Sequence, residues 1–541
     1  MRRLVCFSIL FVNGVFPEII AASDSNGIGN YRFEIVAEPG SEIDGHVISN
    51  VGYPRIANSG TIAFLSRTDL GRTLMTTERV VAYPGMPLTD GTTLPHFRSD
   101  LFYNVNSAGN VIYTNATEDG LNFTALDDRM LVSDEYYDIT VDGFALRATG
   151  AQANGGIAES GEAVFGAGWT AENAPRGGFI STESGFLYKQ AEDYAGLKAS
   201  FPSGGYQIST NGDFVLLAFE PETGRRAIVV DGERLIETGD IIDGKEIDPN
   251  VLLDVNGPGS VLFSDRISSV YFTQHGRATP PLYSDVGRGF VYMADEVNGQ
   301  FKLGKDHDFV SLSFLLPREL YEALEGRPPA PVSIPDIQTG VLVNGKLQLA
   351  IGDSVDGLQI AEMRTIDAND VGDIAIQAKF TNGRGGIIRA VEALLGDFND
   401  DGEITVDDID FISSRIRDGE TDGFYDLNED ALVDGGDRFS WVTKVMNTTF
   451  GDSNLDGVFN SRDFVDIFQA AEYEDDDPLN STWSTGDWNG DGDFTSRDLV
   501  FAFTHGQYTN DSTVQVPEPL SQSILAVCLT LGFIIRRRHL H

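Results

Sequence analysis

Cysteine is almost missing from this 541-residue chain: only Cys6 and Cys528 occur, each inside an apolar terminal stretch. The body between them can hold no disulfide framework, thiol nucleophile or cysteine-ligated zinc, so its stability has to come from packing and bound ions. Basic residues are scarce too. Thirty-eight Lys and Arg against 82 Asp and Glu leave a net charge of -44. That excludes nucleic acid, whose phosphates require a basic surface, and makes cations the fitting partners. The seven histidines form no His-Glu-x-x-His pattern, and no Gly-x-Ser-x-Gly elbow or Gly-x-x-x-x-Gly-Lys phosphate loop occurs. Metalloprotease, hydrolase and nucleotide sites therefore cannot be named from motifs. Apolar residues are not lacking. At 41% hydrophobic and 10% aromatic, the acid sits on folded domains, and the length calls for two or more of them.

Both ends read as addresses. Met1-Arg2-Arg3, the apolar stretch Leu4 to Phe16 and the small residues Ala21-Ala22-Ser23 are the parts of a secretory signal peptide over 1–23. A buried N-terminal helix is the alternative. At the other end, Pro517-Glu518-Pro519 precedes sixteen nearly apolar residues, Leu520 to Ile535, and then Arg536-Arg537-Arg538. As a helix that stretch reaches roughly 24 Å, slightly short of a normal span, and the arginines should stay cytoplasmic. The three parts, over 511–541, resemble the PEP-CTERM sorting signal of Gram-negative-type bacteria. The resemblance implies recognition by an exosortase-type enzyme, removal of the membrane helix, and delivery to the cell surface or extracellular matrix; a permanent single-span anchor stays open.

The densest chemistry lies in 396–510. Calcium takes six to eight hard oxygen ligands, and an EF-hand type of loop supplies them at positions 1, 3, 5, 7, 9 and 12, with glycine at 6. The spacing occurs four times. The first loop offers Asp397, Asn399, Asp401, the carbonyl of Glu403, Thr405 and Asp408; the second offers Asp426, Asn428, Asp430, Asp434 and Asp437, with Ala431 where glycine is expected. The third offers Asp452, Asn454, Asp456, the carbonyl of Val458, Asn460 and Asp463; the fourth offers Asp487, Asn489, Asp491, Asp493, Thr495 and Asp498. A single aspartate-rich loop is usually a solvated turn, but a fourfold register points to Ca2+, because magnesium demands tighter octahedral geometry. Each loop leads into an amphipathic stretch whose apolar residues are Ile409, Ile412 and Ile416; Phe439, Val442 and Met446; Phe464, Ile467 and Phe468; and Leu499, Val500 and Phe503. Four such short helices need one another, so a small all-α domain that folds with its ion is expected.

Gly-Asp-Phe-Asn-Asp-Asp-Gly, Gly-Asp-Ser-Asn-Leu-Asp-Gly and Gly-Asp-Trp-Asn-Gly-Asp-Gly carry a resemblance to dockerin type I repeats. The likeness is to the four-loop form at the C-termini of planctomycete-type surface proteins. It implies docking onto a cohesin-like partner, often in proteins that degrade polysaccharide. Dockerin contact positions 10 and 11 are Ser461-Arg462 and Ser496-Arg497 in the third and fourth loops, but Val406-Asp407 and Gly435-Gly436 in the first two. The 35-residue step from Asp452 to Asp487 is also longer than a dockerin repeat.

Residues 24–395 read as mainly β, with one helix near Pro317 to Leu324. An internal repeat runs through them: an apolar residue, a turn ending in glycine, then apolar residues two and four places on. Copies are Ile56, Gly60, Ile62, Phe64; Val105, Gly109, Val111, Tyr113; Ile157, Gly161, Ala163, Phe165; Ile208, Gly212, Phe214, Leu216; and Val255, Gly259, Val261, Phe263. A degenerate copy at His307 to Leu312 and a last one with Gly372, Ile374 and Ile376 bring the number to seven. Glycine spacings of 49, 52, 51 and 47 residues suit propeller blades of four short strands, so a seven-bladed β-propeller is expected. A second recurring element at Val81 to Gly91, Ile236 to Gly244, Leu349 to Gly357 and Ile35 to Gly45 supports ring closure by the N-terminal strand. Two stacked β-sandwiches are the alternative. The repeats resemble the tandem Asn-x-x-Gly-x-Val-Ala-Phe type of exported bacterial proteins, a family that implies little about activity. Two functions follow: a displayed binding or structural module with a calcium-rigidified docking or spacer element, or a dockerin-bearing protein that binds or degrades polysaccharide.

Overall fold

The computed structural model describes residues 30–509 apart from 90, 92, 95–100, 117–121, 134–139, 142–143, 149–154, 172–173, 190–193, 198–204, 258, 266–269, 273–275, 278–284, 288–289, 295–299, 306–307, 324–337, 400, 421–422, 429 and 431. Both addressing stretches, together with His307, Leu324 and Ala431, lie outside the described residues. The chain divides into two compact units, Met1–Glu392 and Ala393–His541.

The larger unit is mainly β. Among the described residues, seven antiparallel sheets of four or more strands follow one another along the chain, and α1 (Arg318–Ala323) is the one α-helix of this unit. The strands that open the sheets are Arg55–Ile56, Phe102–Val105, Gly156–Ile157, Tyr206–Ile208, Pro249–Val255, Phe301–Leu303 and Leu358–Ala368. Each of these packs against the opening strand of the next sheet, and Leu358–Ala368 packs back on Arg55–Ile56, so the packing order is cyclic. The third and sixth sheets carry additional strands: Arg147–Ala148 lies beside Ala163–Ala171, and Phe290–Ala294 beside Phe309–Pro317. The seventh is completed by Asn30–Ala37, which pairs with Gly385–Ala393, the final strand of the unit. A strand from the far end of the chain thus covers an edge that would otherwise be open.

The second strand of each sheet explains its unbroken apolar run. Successive side chains of a strand point to opposite faces. Ile62 and Phe64 pack toward the seventh sheet with Ile387, while Ala63 and Leu65 pack toward the second with Tyr103 and Val111. The alternation repeats further round, where Leu216 packs with Phe179 and Val164 while Val215 and Leu217 pack with Phe263. Both faces are buried, so both carry apolar residues.

The turn between the first and second strands is nearly invariant. In the first sheet Ala57 N donates to Thr61 O at 3.0 Å and Gly60 N to Ala57 O at 2.9 Å, with Gly60 at φ +82°. The same pair of bonds recurs at Asn106/Gly109, Ala158/Gly161, Ser209/Gly212, Asn256/Gly259 and Asn369/Gly372. Only glycine adopts that left-handed conformation without steric cost, which is why the repeat is anchored on it. Asparagine at the head of the turn adds two bonds: Asn369 Oδ1 accepts from Asp373 N at 2.8 Å, and its Nδ2 donates to Ala57 O of the neighbouring sheet, also at 2.8 Å. Asn106 likewise reaches Ala158 O at 3.1 Å.

A chain of largely buried charge crosses four of the opening strands. Arg55 lies 3.0 Å from Asp367, Lys302 lies 2.7 Å from Asp367, and Lys302 approaches Asp254 at 3.7 Å. Burial opposes ionisation of Asp367, but Lys302 and Arg55 outweigh it and hold its carboxyl below the usual range. Removing Asp367 leaves Arg55 without its counter-ion and Lys302 with only the longer contact to Asp254, in a largely desolvated place. Asp367→Ala should therefore lower the unfolding free energy of the larger unit by about 3–5 kcal/mol, read from urea titration by circular dichroism. An unchanged midpoint would show that water reaches these groups.

Candidate metal centre

In the smaller unit each acidic loop runs into a helix: α2 (Val406–Asp418), α3 (Gly435–Ser440, continued as a π-helical turn over Trp441–Val445), α4 (Ser461–Ala470) and α5 (Ser496–His505). The ninth and twelfth loop positions form the capping box that starts the helix. Thr405, Asp434, Asn460 and Thr495 are the N-caps, and Asp408, Asp437, Asp463 and Asp498 reach back to the cap amides at 2.8, 2.8, 2.8 and 2.9 Å. The second oxygen of the closing aspartate draws in the head of its own loop. It accepts from Phe398 N at 2.7 Å, Asn428 N at 3.1 Å, Ser453 N at 2.9 Å and Asn489 N at 2.9 Å.

Capping accounts for the end of each loop but not for its beginning. Asp397 accepts from Asp401 N and Gly402 N at 3.2 and 2.9 Å; Asp452 accepts from Asp456 N and Gly457 N at 3.1 and 2.7 Å. Asp487 accepts from Gly490 N and Gly492 N at 2.8 and 2.9 Å, and Asp426 from Asp430 N at 3.1 Å. The asparagine at position 3 bonds to the amide of position 5 in every loop: Asn399 to Asp401, Asn428 to Asp430, Asn454 to Asp456 and Asn489 to Asp491, all between 2.8 and 3.0 Å. Position 5 then bonds to the amide of position 7: Glu403, Leu432, Val458 and Asp493. Four stretches of different sequence thus share one bonding register. At position 7 the Asp493 side chain is turned elsewhere and accepts from Leu479 N at 2.6 Å, which leaves its carbonyl as the group for the loop.

Among the described residues, only the fourth loop brings three carboxylates within reach of one ion. One oxygen each from Asp487, Asp491 and Asp498 lies within 4.8 Å of the others. The carboxylates of the other three loops are held in the same register but do not converge to that distance. Two guanidiniums distinguish the fourth loop. Arg417 lies 3.6 Å from Asp487 and donates to Gly490 O at 2.8 Å. Arg438 is buried and donates to Asp487 O at 2.9 Å, Trp488 O at 2.6 Å and Ser413 Oγ at 2.7 Å. Burial still dominates the local electrostatics: it pushes Asp487 up to about 6, against the pull of Arg438, and raises Asp408, Asp437, Asp463 and Asp498. A divalent cation would reverse that penalty.

The apolar faces match the expectation in part: Ile409, Ile412, Val442 and Ile467 are buried in one core, and Ile416, Met446, Phe464 and Leu499 pack against it. Phe439, Phe468, Val500 and Phe503 are exposed at 42, 49, 66 and 55%. The closing aspartate sets the phase: because it is buried, the residue one turn on is buried with it. Those residues are Ile412, Trp441, Ile467 and Ala502, all at 0% exposure. Val500 and Phe503, two and five places after Asp498, fall well off that face. Around the buried aliphatic residues the core is completed by aromatic ones, with Trp441, Trp483, Trp488, Phe450, Phe459 and Phe494 buried together. Trp483 Nε1 donates to Asp452 O at 2.6 Å and Trp441 Nε1 to Gly396 O at 2.8 Å, which ties the loops to that core. The part played by Arg417, Arg438 and the tryptophans is not visible in the loop motif, because their partners lie 25 to 73 residues away.

No family model and no curated protein matches the chain. Among solved structures it is similar to BBS1N in complex with ARL6DN, at 8% identity and a TM-score of 0.29, over 68% of this chain and 97% of that one. Prolyl oligopeptidase B from Galerina marginata gives 10% identity and a TM-score of 0.33, over 66% and 50%. A subtype N11 neuraminidase-like protein of A/flat-faced bat/Peru/033/2010 gives 11% and 0.26, over 67% and 94%. Scores this low carry no argument about the activity of this chain. Among the described residues, no helix is long and apolar enough to cross a membrane.

Two outcomes follow from the site. Gly486 precedes the fourth loop at φ +121°, and a Cβ there would meet the Phe494 ring at 2.6 Å. Gly486→Ala should cost roughly 1–3 kcal/mol, measured by tryptophan fluorescence on chemical unfolding. Three of the four tryptophans lie in this unit, so the signal reports on it. The second concerns pH. Asp487 has its folded pKa raised above the ordinary carboxylate value, so the ion-free fold binds protons more tightly than the unfolded chain. Its stability should therefore rise as pH falls through about 6, whereas the affinity of this loop for a divalent cation such as calcium, if it holds one, should fall over the same range. Thermal melts in chelator at pH 7.5 and 5.0 check the first sign, and calcium titrations at the same pH values the second.

Proposed function

We propose that this chain is an exported, surface or extracellular calcium-binding protein. Its larger unit serves as a seven-bladed β-propeller for binding or structure, and its smaller, all-α, dockerin-like unit holds Ca2+ in four loops. The observation that carries the calcium reading is the convergence of Asp487, Asp491 and Asp498 in a loop whose bonding register recurs in the other three. In each loop the carboxylates and asparagine of positions 1, 3, 5 and 12 would supply the ion's hard oxygens, with the position-7 carbonyl and the position-9 side chain beside them. Such an ion would neutralise carboxylates crowded by burial, so folding and binding become one equilibrium.

The propeller reading is supported by the cyclic packing of the seven opening strands and by the N-terminal strand that completes the seventh sheet. Export and sorting rest on the two terminal stretches alone. Docking to a cohesin-like partner would use Ser461-Arg462 and Ser496-Arg497 at the starts of α4 and α5. Polysaccharide binding or degradation is the second reading, favoured by the dockerin likeness.

Calorimetric titration of the full chain with calcium should show up to four ions. Asp487→Asn should remove the fourth-loop ion while leaving the rest. At calcium a hundredfold above Kd, the smaller unit should gain about 2.7 kcal/mol of stability for each ion bound. No uptake at millimolar calcium, together with identical melting in chelator, would end the calcium reading.

A further inference from the structure

The cyclic arrangement has two unlike ends. At one, the turns that follow the opening strands meet each other: Ser107 N and Oγ both donate to Glu159 at 2.9 Å, Glu159 N donates to Thr210 O at 2.9 Å, and Asp370 accepts from Thr210 and from Asn58. Thr210 and Asp370 belong to the fourth and seventh sheets, so these contacts reach across and close that end. Residues that lead into the opening strands lie at the other end. There residues of the first, sixth and seventh sheets line an open cavity of about 760 Å³, within the size range of small-ligand sites.

Its walls are Tyr53, Gln300, Glu362 and Arg364, and Met363, Thr365 and Gln377 are its buried residues. Hydrogen bonds fix those polar groups in place. Gln377 Nε2 donates to Val51 O at 2.9 Å and its Oε1 accepts from Thr365 Oγ1 at 3.3 Å. Gln300 accepts from Ile366 N at 2.8 Å and donates to Arg364 O at 3.2 Å, pinning the strand that carries the rim. On that rim the Arg364 guanidinium makes two parallel bonds to Glu362, at 3.0 and 3.1 Å. The pair is exposed, with side chains 51 and 48% accessible, and beside it Tyr53 is 58% exposed. Below the cavity, two residues further along the respective strands, lie Arg55 and Asp367 of the buried charge chain.

We propose that this cavity binds a neutral carbohydrate residue, stacked on the Tyr53 ring and held through its hydroxyls by the Glu362–Arg364 pair. The proposal rests on the binding-module reading and gives the carbohydrate class named there a defined site on the larger unit. An apolar ligand is disfavoured because the rim is charged and the inner wall carries amide and hydroxyl groups. An anion is disfavoured by Glu362 and by the net charge of -44. A sugar ring offers what the site asks for: an apolar C–H face for the aromatic ring, and adjacent hydroxyls that both donate and accept. The paired guanidinium keeps three N–H groups beyond its two bonds to Glu362, and the carboxylate keeps further lone pairs. Because both groups are already oriented, little side-chain freedom is lost on binding.

The test is an array of neutral gluco-, manno-, galacto- and xylo-oligosaccharides, with polygalacturonate as the anionic comparison, probed with the full chain and followed by calorimetry on any hit. At least one neutral oligosaccharide should bind. Tyr53→Ala and Arg364→Ala should each weaken that binding tenfold or more without moving Tm, since both side chains are exposed rim groups. Binding should persist unchanged in Asp487→Asn, which separates failure of this pocket from failure of the calcium loops. The proposal is overturned if no neutral sugar binds at millimolar concentration, if only polygalacturonate binds, or if both rim variants bind as the native chain does.

Discussion

Each α-helix of the smaller unit depends on a buried carboxylate that, among the described residues, has no ion pair of its own. Asp408, Asp437, Asp463 and Asp498 are fully buried, and what keeps them tolerable is main-chain N–H groups from the loop and the helix start. That arrangement caps the helix, draws the first half of the loop onto it and fixes which face turns inward. It is also poised electrostatically. Desolvation opposes the charge and backbone amides favour it, so a cation gathered by the neighbouring carboxylates would relieve a strain already present.

The larger unit solves a different problem by repetition. Its second strands are buried on both faces, and no single sheet could satisfy them alone. Each sheet therefore needs a neighbour on either side, and a cyclic order supplies one for every sheet. The glycine turns make that order repeatable. Asn106 and Asn369 show how: the side chain that closes its own turn also bonds the turn of the next sheet, so local geometry and neighbour spacing are set by one residue. The same economy closes one end of the arrangement and leaves the other to the Tyr53 cavity.

Much of this was legible in the sequence. The glycine period marks the turn between first and second strands in six of the seven sheets, and the structure places Gly60, Gly109, Gly161, Gly212, Gly259 and Gly372 there with positive φ. The helix at Arg318–Ala323 falls where the pattern puts it. The aspartate register also survives, because ligand spacing and capping spacing are both properties of a short segment. The helix faces were less legible. Periodicity alone assigned Phe439, Phe468, Val500 and Phe503 inward, but the inward face is phased by the closing aspartate, a polar residue that a search for apolar stripes passes over.

What the sequence determines by itself is local: where turns fall, which strands are apolar on both faces, where oxygen donors recur, and that no cysteine braces the body. Contacts over long chain separations are decided by the tertiary structure. Arg55 meets Asp367 across 312 residues, Arg438 finds the carbonyls of Asp487 and Trp488, and Tyr53 comes to share a cavity with Arg364. The physical reason is that hydrogen-bonded turns and caps are satisfied within a few residues. A buried charge or a cavity wall is satisfied only by whatever the packing of whole sheets and helices brings alongside.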